Sequence, residues 1–130
     1  MYLLDTNIIA FYFRGNNNVI NKITNVGFEN CFVSEITIAE LKYGALKSKN
    51  LERHNNLIEN FIKDINVIAI TNILDCFASE KVRLEKAGHR IDDFDLLIGS
   101  TAIVNDLILV TNNTKHLQRM LTKNIEDWTI

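Results

Sequence analysis

The sequence predicts an α/β fold around a parallel sheet. Two observations carry this: four short apolar runs of strand length, YLLD, CFVS, NVIAI and LILVT, and helical patterns between them. Strands that alternate with helices cross over the sheet and return parallel. A third observation bounds the size. The 130 residues, 47% hydrophobic and 23% charged, make one domain, residues 1–130, with a core that needs neither disulfides nor structural metal.

The elements follow in chain order. YLLD is the first strand and ends on Asp5. TNIIAFYFRG reads as a helix capped at its start by Thr6 or Asn7 and stopped at Gly15. A second helix covers Asn18 to Val26, and CFVS is the second strand. Thr37 to Lys47 is helical. LERHNNLIENFIKDI is amphipathic, with Leu51, Leu57, Ile58, Phe61, Ile62 and Ile65 able to share a face. NVIAI is the third strand. Thr71 opens a long helix that Gly88 closes, and another helix starts around Asp92 and runs to Val104. LILVT is the fourth strand, TKHLQRML a short helix, and NIEDWTI adds a last edge strand. Proline is absent, so helix ends depend on glycine and polar caps.

Composition narrows the chemistry. A net charge of −2 gives no general attraction for nucleic acid, so any such contact needs a local basic face. Cys31 and Cys76 sit in apolar settings and read as buried free thiols of a reducing cytosol. No cysteine spacing suggests zinc or a redox pair. No apolar run approaches the roughly 18 residues of a membrane span, and no signal peptide opens the chain. A cytoplasmic protein with no membrane contact is expected. There is no glycine-rich phosphate loop and no Ser–His–Asp or Cys–His arrangement. His54, His89 and His116 show no ligand spacing.

Ligands of open α/β sheets bind outside the carboxyl ends of the strands. Asp5 lies there, and so do the residues of the turn after the fourth strand, TNNT. Glu40 lies in the first turn of the helix that follows the second strand. Each acid has a structural explanation. Asp5 can cap the next helix, Glu40 can close a capping box with Thr37, and Asp92 and Asp93 suit a helix N-terminus. Asp95 is harder to explain, because it shares a face with Ile98, Gly99 and Ala102 and so aims inward. A mid-helix glycine is costly, so Gly99 suggests a close backbone approach beside Asp95. An inward carboxylate needs a partner, and no lysine or arginine is placed to supply one. A hard divalent cation shared with Asp5 and Glu40 would satisfy all three acids.

These residues resemble a known family. LLDTN, ITIAELKYGA, IDDFDLLIGSTA and LVTNNTKHLQR are similar, in order and spacing, to the PIN-domain ribonucleases, and most to the VapC-type toxins of bacterial toxin–antitoxin pairs. The resemblance implies a three-layer α/β/α sandwich and endoribonuclease activity dependent on Mg²⁺ or Mn²⁺, directed at structured RNA such as transfer RNA. It places metal-binding, catalytic acids on Asp5, Glu40 and Asp95, with Thr6 and Asn7 ordering the site. Many PIN domains carry a fourth acid in the turn after the fourth strand. Here Asn112 or Asn113 stands in that place, which weakens the case for a tightly held second metal.

The resemblance also implies a homodimer held silent by a VapB-like antitoxin in the active-site groove. The helix run IIAFYF is apolar nearly all round, which makes Phe11, Tyr12 and Phe13 candidates for such an interface, beside the plainer reading as core. Candidate RNA contacts are Lys42, Lys47, Arg90, Lys115 and Arg119. Two other readings remain. One is a different Mg²⁺-dependent phosphoryl-transfer enzyme, although the residues around Asp5 and TNNT fit a dehalogenase-like phosphatase or a receiver poorly. The other is a non-catalytic PIN-like scaffold or co-repressor.

Overall fold

Two consecutive leucines show how the sheet is covered. Leu3 and Leu4 are both fully buried, yet neighbouring strand residues point to opposite faces. Both faces of the sheet must therefore carry helices, as parallel sheets require. The structure, a computed structural model describing residues 1–130, has β1 (Tyr2–Leu4), β2 (Cys31–Ser34), β3 (Asn66–Ile68), β4 (Ile108–Val110) and β5 (Ile125–Glu126). The order across the sheet is β3-β2-β1-β4-β5, and every neighbouring pair is parallel. The expected four strands and the edge strand near the C-terminus are present. β1 is the central strand.

The helices are α1 (Thr6–Phe13), α2 (Asn17–Val26), α3 (Glu35–Lys47), α4 (Leu51–Asp64), α5 (Leu74–Lys86), α6 (Asp93–Val104) and α7 (Thr114–Leu117). Leu4 packs on one face with Ile8, Ile9, Val19, Ile23 and Phe61, contributed by α1, α2 and α4. Leu3 packs on the other with Leu84, Leu96, Ile98, Ala102 and Leu117, contributed by α5, α6 and α7. This is the three-layer α/β/α sandwich. α3 serves both cores, giving Ile38 and Leu41 to the first and Ile36 to the second. It also contacts both α1 and α6, and so runs across the carboxyl edge of the sheet. No helix is long and apolar enough to cross a membrane.

Polar side chains cap five of the seven α-helices in this proline-free chain, all but α5 and α7. Asp5, Asn16, Ser34, Asn50 and Asp92 each accept from a backbone N–H of the first turn. Several details differ from the sequence reading, among them the starts of α2, at Asn17, and α3, at Glu35. The cap of α1 is Asp5, not Thr6 or Asn7, because the Asp5 carboxylate reaches the Thr6 N–H at 2.8 Å. Thr71 opens a single 3₁₀ turn, Thr71–Ile73, before α5 begins at Leu74. Cys76 is half-buried, whereas Cys31 is buried and its thiol is pushed up to about 11, chiefly by burial. The close approach at Gly99 is made by a side chain: a Cβ there would collide with Met120 Sδ.

Candidate functional site

β1 delivers Asp5 to the carboxyl edge between its two neighbours. The Asp5 side chain is only 3% exposed. One oxygen, Oδ1, caps α1. The other, Oδ2, accepts from Thr111 Oγ1 at 2.8 Å and from Asn7 Nδ2 at 3.3 Å. Burial pushes its pKa up, and the bonds from Thr111 and the Thr6 N–H oppose the shift.

Glu40 is not in a capping box. Ser34 Oγ accepts from the Ile36 N–H at 3.1 Å, so α3 starts at Glu35 and Glu40 lies in its second turn. Thr37, expected at the helix start, is buried inside it. Glu40 Oε1 instead accepts from Thr6 Oγ1 at 2.7 Å, and Thr6 Oγ1 is 3.0 Å from Thr37 Oγ1. A carboxylate can only accept and Thr6 has a single hydroxyl proton, so the chain runs Thr37 to Thr6 to Glu40.

Asp95 lies in the first turn of α6 and is half-buried. Its pKa is raised to about 6, first by burial and then by the charges of Asp5, Asp92 and Glu40. Glu40 is raised by burial and by Asp5 and Asp92, with the Thr6 bond opposing. Asp5, Glu40 and Asp95, from three different elements, therefore stand in one electrostatic field. None of them is ion-paired, since the salt bridges are Lys81–Asp93, Arg83–Glu80 and Lys123–Asp106. Asp93 is thus a solvated, paired acid. Asp92 caps α6 through the Phe94 N–H at 3.1 Å, and its charge also reaches the cluster, which the reading as a cap did not capture.

Hard carboxylate oxygens without cationic partners are the donor type that Mg²⁺ and Mn²⁺ take. As the side chains stand, no three His, Cys, Asp or Glu residues are drawn in closely enough to hold one ion. Ligation of one ion by all three acids would draw their side chains closer together.

The TNNT turn supports the site through its amides. The Asn112 N–H donates to Asn7 Oδ1 at 3.2 Å, and the Asn113 N–H donates to Thr111 Oγ1 at 2.9 Å. Asn112 Nδ2 bonds Thr129 Oγ1 at 3.2 Å and Asp127 Oδ2 at 3.4 Å, and Asn113 Oδ1 lies 2.8 Å from His116 Nδ1. The sequence reading singled out neither Thr111 nor Thr37 as a site residue. The only signal was their position, one at a strand end and the other one turn before Glu40.

The basic candidates are scattered. Lys42, Lys47 and Lys115 are exposed, and Lys47 Nζ sits 5.1 Å above the Tyr43 ring. Arg90 shares a cavity of about 350 Å³ with Asp92 and Asp93. Arg119 is half-buried, and its carbonyl accepts from Arg83. Phe11, Tyr12 and Phe13 are also half-buried. Tyr12 meets Phe28 edge-on at 6.0 Å and Phe13 meets Phe61 at 5.5 Å, and these four rings line an open cavity of about 340 Å³ between α1, α2 and α4.

Comparison with known proteins gives a consistent picture. The PIN domain family matches residues 2–120. The chain is 31% identical to the tRNA(fMet)-specific endonuclease VapC of Shigella flexneri, over 98% of this chain and 97% of that one. It is 34% identical to ribonuclease VapC2 of Haemophilus influenzae, with the same coverage. Among solved structures, VapBC2 of Rickettsia felis, bound to a DNA fragment from its promoter, superposes with a TM-score of 0.90 at 30% identity, covering 98% of each chain. The carboxylates at the sheet's edge thus sit on the fold and sequence of the PIN-domain family, and this chain belongs to it, among the VapC-type ribonucleases.

Proposed function

We propose that this chain is the toxin of a type II toxin–antitoxin pair, a metal-dependent endoribonuclease in which Asp5, Glu40 and Asp95 bind Mg²⁺ or Mn²⁺. One observation carries the reading. Asp5 at the end of β1, Glu40 of α3 and Asp95 of α6 share one electrostatic field; Thr6, Asn7 and Thr111 bond the first two, and no lysine or arginine pairs with any of the three. A divalent ion bound there supplies a Lewis acid for the charge that develops on a phosphodiester and for activating water. The bonds to Asp5 and Glu40 orient both carboxylates while leaving lone pairs available on their oxygens. Glu40 or Asp5 orients the attacking water and takes its proton, and the 3′ oxygen leaves.

Structured RNA, and transfer RNA first, is the proposed substrate; the name of the Shigella relative supports it. Arg90, Lys42, Lys47, Lys115 and Arg119 are the candidate phosphate contacts. A VapB-like antitoxin is the proposed partner, supported by the solved complexes of similar chains. The aromatic cavity walled by Tyr12 and Phe13 is the surface offered to that partner or to a second copy of the chain.

The test is cleavage of total transfer RNA by the purified chain, with Mn²⁺ or Mg²⁺, with chelator, and beside Asp95→Asn. Discrete fragments that need metal and vanish in the variant are expected. No cleavage of transfer or ribosomal RNA, together with no Mn²⁺ binding, would replace the enzyme with a PIN-like scaffold.

A further inference from the structure

A second groove leads away from the acids. It lies between α1, α3 and α4, with a volume of about 340 Å³. It begins at Thr6 and Glu40, passes Ala10 and Gly44, and ends at Phe13, Arg14 and His54.

Gly44 is the informative residue. It sits in the middle of α3, where glycine weakens a helix relative to alanine. At Gly99 the fold explains the missing side chain, because Met120 fills the space. At Gly44 a Cβ would meet nothing within 4 Å. Packing within the chain gives no reason for this glycine, whose effect is to leave α3 bare where the groove passes.

The groove's charge is uneven along its length. Glu40 is its only acid and stands at the catalytic end. Arg14, at the far end, is exposed, belongs to none of the salt bridges, and rests 4.9 Å above the Phe11 ring. A single-stranded nucleic acid calls for an apolar or aromatic face for the base and a cation for the phosphate.

We propose that this groove seats the nucleotide adjoining the cleaved phosphodiester, its base and ribose over Gly44 and Phe13 and its phosphate toward Arg14 and His54. The proposal rests on the reading of the acids as an RNA-cleaving centre. Gly44 and Arg14 are binding residues in it and take no part in the bond cleavage.

The experiment measures binding apart from cleavage. A fluorescein-labelled, 12-nucleotide 2′-O-methyl RNA is titrated into the purified chain in Mg²⁺ and followed by anisotropy, with transfer RNA cleavage assayed in parallel. Gly44→Leu is expected to weaken binding at least 10-fold with a Tm equal to or above that of the parent. Arg14→Gln is expected to weaken binding about 3- to 10-fold and to reduce the salt slope by about 0.7, the value for one phosphate contact on a single strand. Failure of the parent to bind, or binding by Gly44→Leu within twofold of the parent, overturns the proposal. So does Gly44→Leu binding RNA normally while losing the antitoxin, which would assign the groove to the protein partner. Binding that Gly44→Leu weakens, in a parent that cuts no RNA, supports the groove and removes the nuclease reading instead.

Discussion

At Asp5, one carboxylate oxygen ends a strand's task and starts a helix, while the other faces Thr111 and Asn7. Capping and site-building therefore do not compete for this residue. Thr111→Val removes a donor that favours the ionised form of Asp5. The Asp5 pKa is expected to rise further and Mn²⁺ affinity to fall about 10-fold, as calorimetry would read, in keeping with the usual loss of a group that supports a metal ligand. Asp95 shows the opposite side of the arrangement. Its folded pKa of about 6 lies above the 3.8 of an unperturbed aspartate. Ionising it in the folded chain is therefore unfavourable: the contribution of this group to stability is fully present below pH 3.8 and is lost as pH rises through about 6. Asp95→Asn is expected to raise the stability of the metal-free protein at pH 7 by about 1 kcal/mol, after discounting for solvent screening. The gain should shrink toward zero near pH 4 while cleavage is lost. Equal Tm values for parent and variant at pH 7 would contradict the shared field of the acids.

The clearest lesson among the elements comes from α3. Its true start at Ser34 was hidden because Thr37 and Glu40 imitate a capping box in sequence. The structure places Thr37 one turn inside, where its hydroxyl supports Thr6. Ser34→Ala is expected to cost about 1 kcal/mol by denaturant unfolding, the usual loss for a removed N-cap. Thr37→Ala should act differently, loosening Glu40 through Thr6 and lowering activity more than stability. The strands and most helices were legible because apolar runs and capping residues are local signals, and CFVS became β2 without change. Asp95 was legible because an inward acid on an apolar helix face contradicts its surroundings. Thr111 was not, because its bond to Asp5 joins residues 106 positions apart and leaves no periodic trace. Gly99 was noticed for the right physical reason and given the wrong neighbour, since nothing local marks Met120 as the side chain above it.

For the whole molecule, the acid cluster and the Glu80–Arg83 pair act in opposite pH ranges. Arg83 donates to both Glu80 oxygens at 2.9 Å and to the Arg119 carbonyl, and the Leu121 N–H donates to Glu80 at 3.1 Å. This ties the segment after α7 to α5. The Arg83 bonds hold the Glu80 pKa below its usual value, so its support is present above about pH 4.5 and fades as pH falls further. The cluster's penalty grows as pH rises instead. Metal-free protein is therefore expected to lose stability between about pH 4 and 7, and saturating Mn²⁺ should restore it most at the upper end. Thermal unfolding across that range, with and without Mn²⁺, reads the difference.

The order of strands has a consequence in time. β1 lies between β2 and β4, yet β4 follows it by about a hundred residues. A ribosome adding about 5–20 residues each second needs at least several seconds to span that gap. Until then the central strand has only one neighbour, and Asp5 lacks the hydroxyl that holds its second oxygen. The site that we propose is thus incomplete in the nascent chain until β4 and Thr111 have been made.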